Sequence, residues 1–152
     1  MLNSLHVHRA FGVVMERFEE AKRWFMQAVR DLKASKDSHS MGNFEWAVFQ
    51  AQQSAEKALK ALLHAHGRGA WGHSVLELLE ALRELHGSEV DLFLSKAREL
   101  DRHYIPSRYP NAFESGYPGQ YYDEEVSGRA IGYAEEIVDW ARRKLEEIGL
   151  KL

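Results

Sequence analysis

The chain contains no cysteine. That excludes a disulfide scaffold, a thiolate metal site and a cysteine nucleophile, and it fits a reducing compartment. Proline is almost absent, and Pro106, Pro110 and Pro118 all fall within one stretch. Everything before and after that stretch is therefore free of the strongest helix breaker. No apolar run approaches the roughly 18 residues that span a bilayer. The opening segment, MLNSLHVHRAFGVVMERFEE, lacks the apolar centre of a signal peptide. These absences place the expected protein in the cytoplasm, without membrane contact. Sustained strand-like alternation, internal repeats and low-complexity segments are missing as well. Nor does one sign of charge dominate: the formal net charge is -3. Contact with nucleic acid would have to come from a local patch rather than an overall basic surface.

What is present is helical periodicity. The 152 residues, 45% hydrophobic and 28% charged, fit one domain over 1–152 with one core, 1–15 forming an N-terminal extension. Phe18, Ala21, Phe25, Ala28 and Leu32 make one stripe and predict a helix over 16–35. The polar SKDSHSMGN that follows reads as a loop. A second helix is expected over 43–63. Phe44, Val48, Ala51, Ala55, Ala58, Leu59 and Leu62 share one side of it. The other side carries Trp46, Phe49, Gln50, Gln53, Lys57 and Lys60, a mixture that suits a partner subunit or a ligand. HAHGRGAWGH ends this helix. Ser74 and Glu77 have the spacing of a capping box for a third helix, with Val75, Leu78, Leu79, Leu82 and Leu85 as its buried stripe. Ser88 is positioned to cap a fourth, continued by Val90, Phe93, Ala97, Leu100 and Tyr104. Residues 105–122 hold all three prolines and four of the six tyrosines, and read as a long loop of the kind that often carries function. Asp123 offers the N-cap of a last helix that runs to about Ile148. The predicted architecture is all-α, an antiparallel bundle of about five helices with one long loop before the last.

Several segments in this order resemble the prokaryotic HEPN domain. They are Trp24 and Asp31-Leu32 on the first helix, then WAVFQAQQSAEKALKALL from Trp46 to Leu63. His73-Ser74 follows ahead of a leucine-rich helix, and YIPSRYP from Tyr104 to Pro110 comes before the last one. The resemblance spans about Met15 to Glu147. It implies a helical bundle that forms a homodimer and pairs with a small nucleotidyltransferase, in a toxin–antitoxin-like system. Active relatives are metal-independent RNases whose signature is Arg-x4-6-His, assembled at a dimer cleft. Members without the full motif are binding modules for nucleotide or RNA. No cofactor is implied.

Two pairs have that spacing. Arg98 and His103 lie in the C-terminal half, where the family motif sits; Arg68 and His73 lie in the glycine-rich loop. Arginine would stabilise developing phosphate charge and histidine would move the 2′-hydroxyl proton. On a regular helix, residues five apart point roughly 140° apart. The helix must therefore end between Arg98 and His103, or a second subunit must complete the site. A tyrosine found two residues after the histidine in some toxins is Ile105 here, with Tyr104 one position early. These departures favour a binding module over a metal-independent endoribonuclease using Arg98 and His103. A structural partner without a ligand is the third reading.

For binding, Lys57, Lys60 and Arg108 are the candidate ligand contacts, and Trp46, Phe49, Gln50 and Gln53 the candidate dimer seam. Aromatic residues are enriched at interfaces, and a guanidinium matches phosphate oxygens in a bidentate way. Tyr117, Tyr121 and Tyr122 are available to stack bases, while Tyr109 is expected to pack. No metal site is expected. The pairs His6/His8 and His64/His66 have a spacing that does not share a helix face, and no carboxylate cluster completes them. GRGAWGHS lacks the lysine of a phosphate loop.

Overall fold

The computed structural model describes residues 4–152. Its helices are α1 (Ser4–Ser40), α2 (Phe44–Ala65), α3 (Val75–His86), α4 (Leu94–Arg102), the single turn α5 (Pro118–Tyr121) and α6 (Glu124–Glu147). Two 3₁₀ segments, Gly87–Phe93 and Pro110–Ala112, lie between them, and no strand occurs among the described residues. The expected all-α bundle of five main helices is what forms.

Helix α2 is the axis of the bundle. It packs against α1, α3, α4, α5 and α6. Its buried positions run almost all the way round and include Ala47, Ala51, Ala55, Ala58, Ala61 and Leu62. The small side chains let neighbouring helices approach closely, and Ser54 Oγ donates to the Ala28 carbonyl of α1 at 2.6 Å. Phe25, Leu59, Leu79, Leu100, Ile137 and Leu145 fill the core without measurable exposure. Each such side chain contributes about 1.5–3 kcal/mol by leaving water.

Helix α1 is longer than its apolar stripe suggests, at both ends. At the C-terminal end, SKDSHS continues the helix to Ser40 instead of opening a loop. Its polar residues have partners that a one-dimensional pattern does not reveal. Ser35 is buried and donates to the Ala47 carbonyl at 2.5 Å, and Ser38 donates to Gln50 at 2.7 Å. His39 Nδ1 meets Ser127 Oγ of α6 at 2.9 Å. The reversal into α2 is left to Gly42, whose φ of +79° is one that side chains disfavour. At the other end, the expected extension is helical from Ser4, its first three residues lying outside the described ones. Leu5, Val7, Phe11, Val13, Val14 and Met15 are exposed there, and burial begins at Phe18 and Ala21.

The caps follow the sequence. Ser74 Oγ accepts from the Glu77 amide at 3.1 Å, and Asp123 Oδ1 accepts from the Val126 amide at 2.9 Å. Ser88 falls inside the 3₁₀ segment, so α4 starts later than expected, at Leu94. Gly87 closes α3 with φ +64°. The candidate site lies where α2 meets the start of α3 and the end of α4.

Candidate functional site

On α2, residues 49, 52, 53, 56 and 60 share one face by helical spacing. In the fold that face looks toward the loop before α3. Gln52 is fully buried and donates to the His73 carbonyl at 2.6 Å. Gln53 donates to Gln52 Oε1 at 2.9 Å. Glu56, whose side chain is 4% exposed, receives His73 Nδ1 at 3.1 Å and lies 3.5 Å from Lys60 Nζ. A carboxylate only accepts, so Nδ1 carries the proton. Nε2 of His73 then holds the free lone pair. The His73 side chain is 59% exposed, and Nε2 has no hydrogen-bond partner among the described residues.

Asp101, near the end of α4, holds the neighbouring backbone. It accepts from the Val75 amide at 2.8 Å, from the Leu76 amide at 2.9 Å and from Ser74 Oγ at 2.9 Å. These are the unsatisfied donors of a helix start, where a negative charge is favoured. Gln52 reaches the same carboxylate at 3.4 Å. One residue of α4 thus sets the position of α3 and, through Gln52, of His73.

Past α4 the chain turns back over α2. The Tyr104 ring stacks on His73 at 4.9 Å and 19°. It also lies 6.1 Å from Phe49, which meets Trp46 at 6.2 Å. Trp46, Phe49, Tyr104 and His73 therefore form one continuous aromatic track. The Arg108 guanidinium lies on it, 4.3 Å from the Phe49 ring centre, 4.6 Å from Tyr104 and 5.0 Å from Tyr109. Its Nε donates to the Tyr104 carbonyl at 2.9 Å. No carboxylate of the described residues forms an ion pair with it.

The other predicted residues fall elsewhere. Arg98 is exposed and makes no hydrogen bond or ion pair with the described residues. His103 turns inward, its Nδ1 2.9 Å from Tyr122 Oη, and its Nε2 is buried without a partner. Burial pushes the imidazole below its ordinary pKa, with Glu99 opposing and Arg129 and Arg102 assisting. Burial likewise pushes the Tyr122 hydroxyl up to about 12. Within one chain the structure does not bring Arg98 and His103 together. Arg68 pairs with Glu84 of α3 at 3.3 Å, whereas His73 pairs with Glu56 of α2. Lys57 is engaged by Asp31 of α1. Lys60 is buried beside Glu56 and lies 5.4 Å above the Trp24 ring. Neither lysine contacts Arg108. Gln50 accepts from Ser38, and Gln53 belongs to the Glu56 network.

Two expectations about tyrosines are corrected. Tyr109 does not pack into the bundle but stays 47% exposed, because its ring lies beside Arg108 at the surface. The packing tyrosine of the loop is Tyr122, 7% exposed, and it is not available to stack a base. Tyr117 and Tyr121 remain exposed. Sequence reading missed Gln52, Glu56 and Asp101. The first two carry a usable signal, since polar residues at i and i+4 in an alanine-rich helix need a buried partner. No group of three or more potential metal-ligating His, Asp or Glu side chains occurs among the described residues, and none of their helices is long and apolar enough to cross a membrane.

The HEPN domain family model matches residues 21–145. The chain belongs to the HEPN family. Solved structures share its fold at appreciable identity. TT1696 from Thermus thermophilus is 40% identical with a TM-score of 0.79, over 83% of this chain and 98% of that one. The archaeal HEPN homologue ST0689 is 36% identical with a TM-score of 0.69, over 85% and 98%. The HEPN domain protein tm0613 from Thermotoga maritima is 31% identical with a TM-score of 0.67, over 82% and 98%. Among curated proteins, the chain is 25% identical over 142 residues to the "Putative toxin MJ1304" of Methanocaldococcus jannaschii, covering 86% of this chain and 92% of that protein.

Proposed function

We propose that this HEPN protein is a nucleotide- or RNA-binding module that forms a homodimer and pairs with a small nucleotidyltransferase in a toxin–antitoxin-like system. The observation that carries the reading is Arg108 lying over an aromatic track with no carboxylate partner among the described residues. A guanidinium in this setting keeps its donors for an anion, and its stacking restrains it beforehand. Rings in sequence offer faces on which bases of any identity stack. Half-exposed Trp46 and Phe49, with Gln50 and Gln53 beside them, supply the dimer seam, and the ligand site sits at its edge. Support for the toxin–antitoxin context comes from the family and from the name of the archaeal relative.

The test has two arms. Sedimentation equilibrium of the purified protein at micromolar concentration is expected to give a dimer. Titration calorimetry with a mononucleotide and with a short unstructured RNA is expected to give saturable binding that Arg108→Ala weakens. Incubation with the same RNA, with and without EDTA, checks the alternative of a metal-independent RNase. Wild-type cleavage abolished by His103→Ala would replace the binding reading with the enzymatic one, and cleavage abolished only by His73→Ala would move the catalytic site to the loop.

A further inference from the structure

We infer that His73 and Arg108 together form the phosphate-ester subsite, with Glu56 as the residue that positions His73; this deepens the binding reading above. The inference rests on the juxtaposition around one ring. Tyr104 carries His73 stacked at 4.9 Å and Arg108 at 4.6 Å. The two nitrogen-bearing groups come from segments 35 positions apart in the chain, and the shared ring fixes them relative to each other.

His73 is held in a way that a surface histidine has no need of. Its carbonyl is taken by buried Gln52 at 2.6 Å. Its Nδ1 is taken by the almost fully buried Glu56 at 3.1 Å, and its ring lies against Tyr104. Burying a carboxylate is costly unless it is paired and hydrogen-bonded. Glu56 meets that condition through Lys60 and Gln53 at 3.5 Å each and through His73. What these contacts accomplish together is to present one atom, His73 Nε2, to solvent in a fixed direction. With Nε2 protonated as well as Nδ1, the ring donates from Nε2 to an anionic oxygen. The Arg108 guanidinium, with its Nε fixed on the Tyr104 carbonyl, keeps its terminal nitrogens for a second oxygen of the same group. Two nitrogen donors from rigid supports match a phosphate ester. Lys57 is engaged by Asp31 and Lys60 by Glu56, so the permanent charge left facing an anion at the track is that of Arg108.

The experiment uses the full-length protein with 15N-labelled histidine. Inorganic phosphate, adenosine 5′-monophosphate and a short unstructured RNA are titrated separately, and the His73 ring signals are followed. Saturating shifts at His73 are expected. His73→Gln, which can still donate to Glu56, should reduce affinity about tenfold or more while the melting temperature stays put. Arg108→Ala should lose a comparable factor. Glu56→Gln should lose several-fold and change the ring-nitrogen shifts that report which nitrogen of His73 is protonated, a readout that simple loss of packing would not produce. Binding of RNA or nucleotide with unmoved His73 signals, and with His73→Gln as tight as wild type, would overturn the subsite and leave the binding module standing. Binding of phosphate at His73 without binding of nucleotide or RNA would keep the subsite and sink the module's proposed ligands. No binding of any probe would remove both.

Discussion

The molecule holds two histidines next to tyrosines at opposite sides of the α4 terminus, and they are in contrasting states. His103 lies part-buried against Tyr122, with its pKa lowered by burial and its Nε2 enclosed. His73 lies against Tyr104 on an open shelf, with Nδ1 on a buried carboxylate and Nε2 in solvent. The residue whose spacing and place in the chain match the family's RNase signature is the enclosed one. The residue in the glycine-rich loop is the one whose side chain is 59% exposed. Motif spacing identifies residues able to meet a substrate only when the fold leaves the atom accessible, and accessibility is decided by elements far away in sequence, here α2 and α5–α6.

Disruption should be greatest at the His103–Tyr122 contact. Tyr122→Ala removes a buried ring and is expected to destabilise the fold by about 3–5 kcal/mol, lowering the melting temperature on the order of 10 °C. Tyr122→Phe should cost about 1 kcal/mol by leaving His103 Nδ1 unpartnered. Thermal melts of both variants check this, and an unchanged melt for Tyr122→Ala would mean the ring is not buried.

Second in size is the support of the open shelf. Asp101→Ala deletes acceptors for two amides and a hydroxyl at the start of α3. It should cost about 2–3 kcal/mol and also weaken ligand binding, because the His73 segment loses its anchor. Urea denaturation measures the first effect and calorimetric titration the second.

Acid should act on the His103–Tyr122 contact through linkage. The unfolded chain protonates His103 as pH falls through 6.5, while the folded chain does so only at lower pH because burial depresses the pKa. Between those two values the unfolded state binds more protons, so stability declines as pH falls. The contribution is complete above 6.5 and is lost on the way down to the folded pKa. Melting temperatures measured from about pH 7.5 to about pH 5 should fall, and His103→Phe should flatten the curve. A residual slope is expected from His64, His66 and His86, whose pKa values burial also lowers.

The smallest stability effects belong to the shelf. Arg108→Ala and Tyr109→Ala, at half-exposed positions, should each change stability by about 1 kcal/mol or less. An early melt with normal ligand binding for Arg108→Ala would make Arg108 a structural clamp and undo its assignment to the site.

The helices that bury one stripe were legible from periodicity, and the two N-caps from three-residue spacing, since both are local. The end of α1 was not. Ser35 and Ser38 look like loop residues until α2 supplies their acceptors twelve positions on. The axis position of α2 was half legible, because its alanines announced burial while Gln52 and Glu56 did not announce their partners. Arg108 was singled out as a candidate by its chemistry between two prolines. Asp101 and the packing role of Tyr122 were not found, as each acts only on a segment that the fold brings back from about 20 or more positions away.

The Asp101 clasp has a consequence for how the protein opens. The carboxylate belongs to α4 and its donors to the first turn of α3, with Gln52 of the axis helix touching the same group. Fraying of α3 from its N-terminus therefore requires α4 to let go first. The two helices and the loop between Ala65 and Val75 are therefore expected to open as one cooperative unit in native-state hydrogen exchange. The amides of Val75 and Leu76, which would otherwise exchange freely at a helix start, should report the opening of that whole unit.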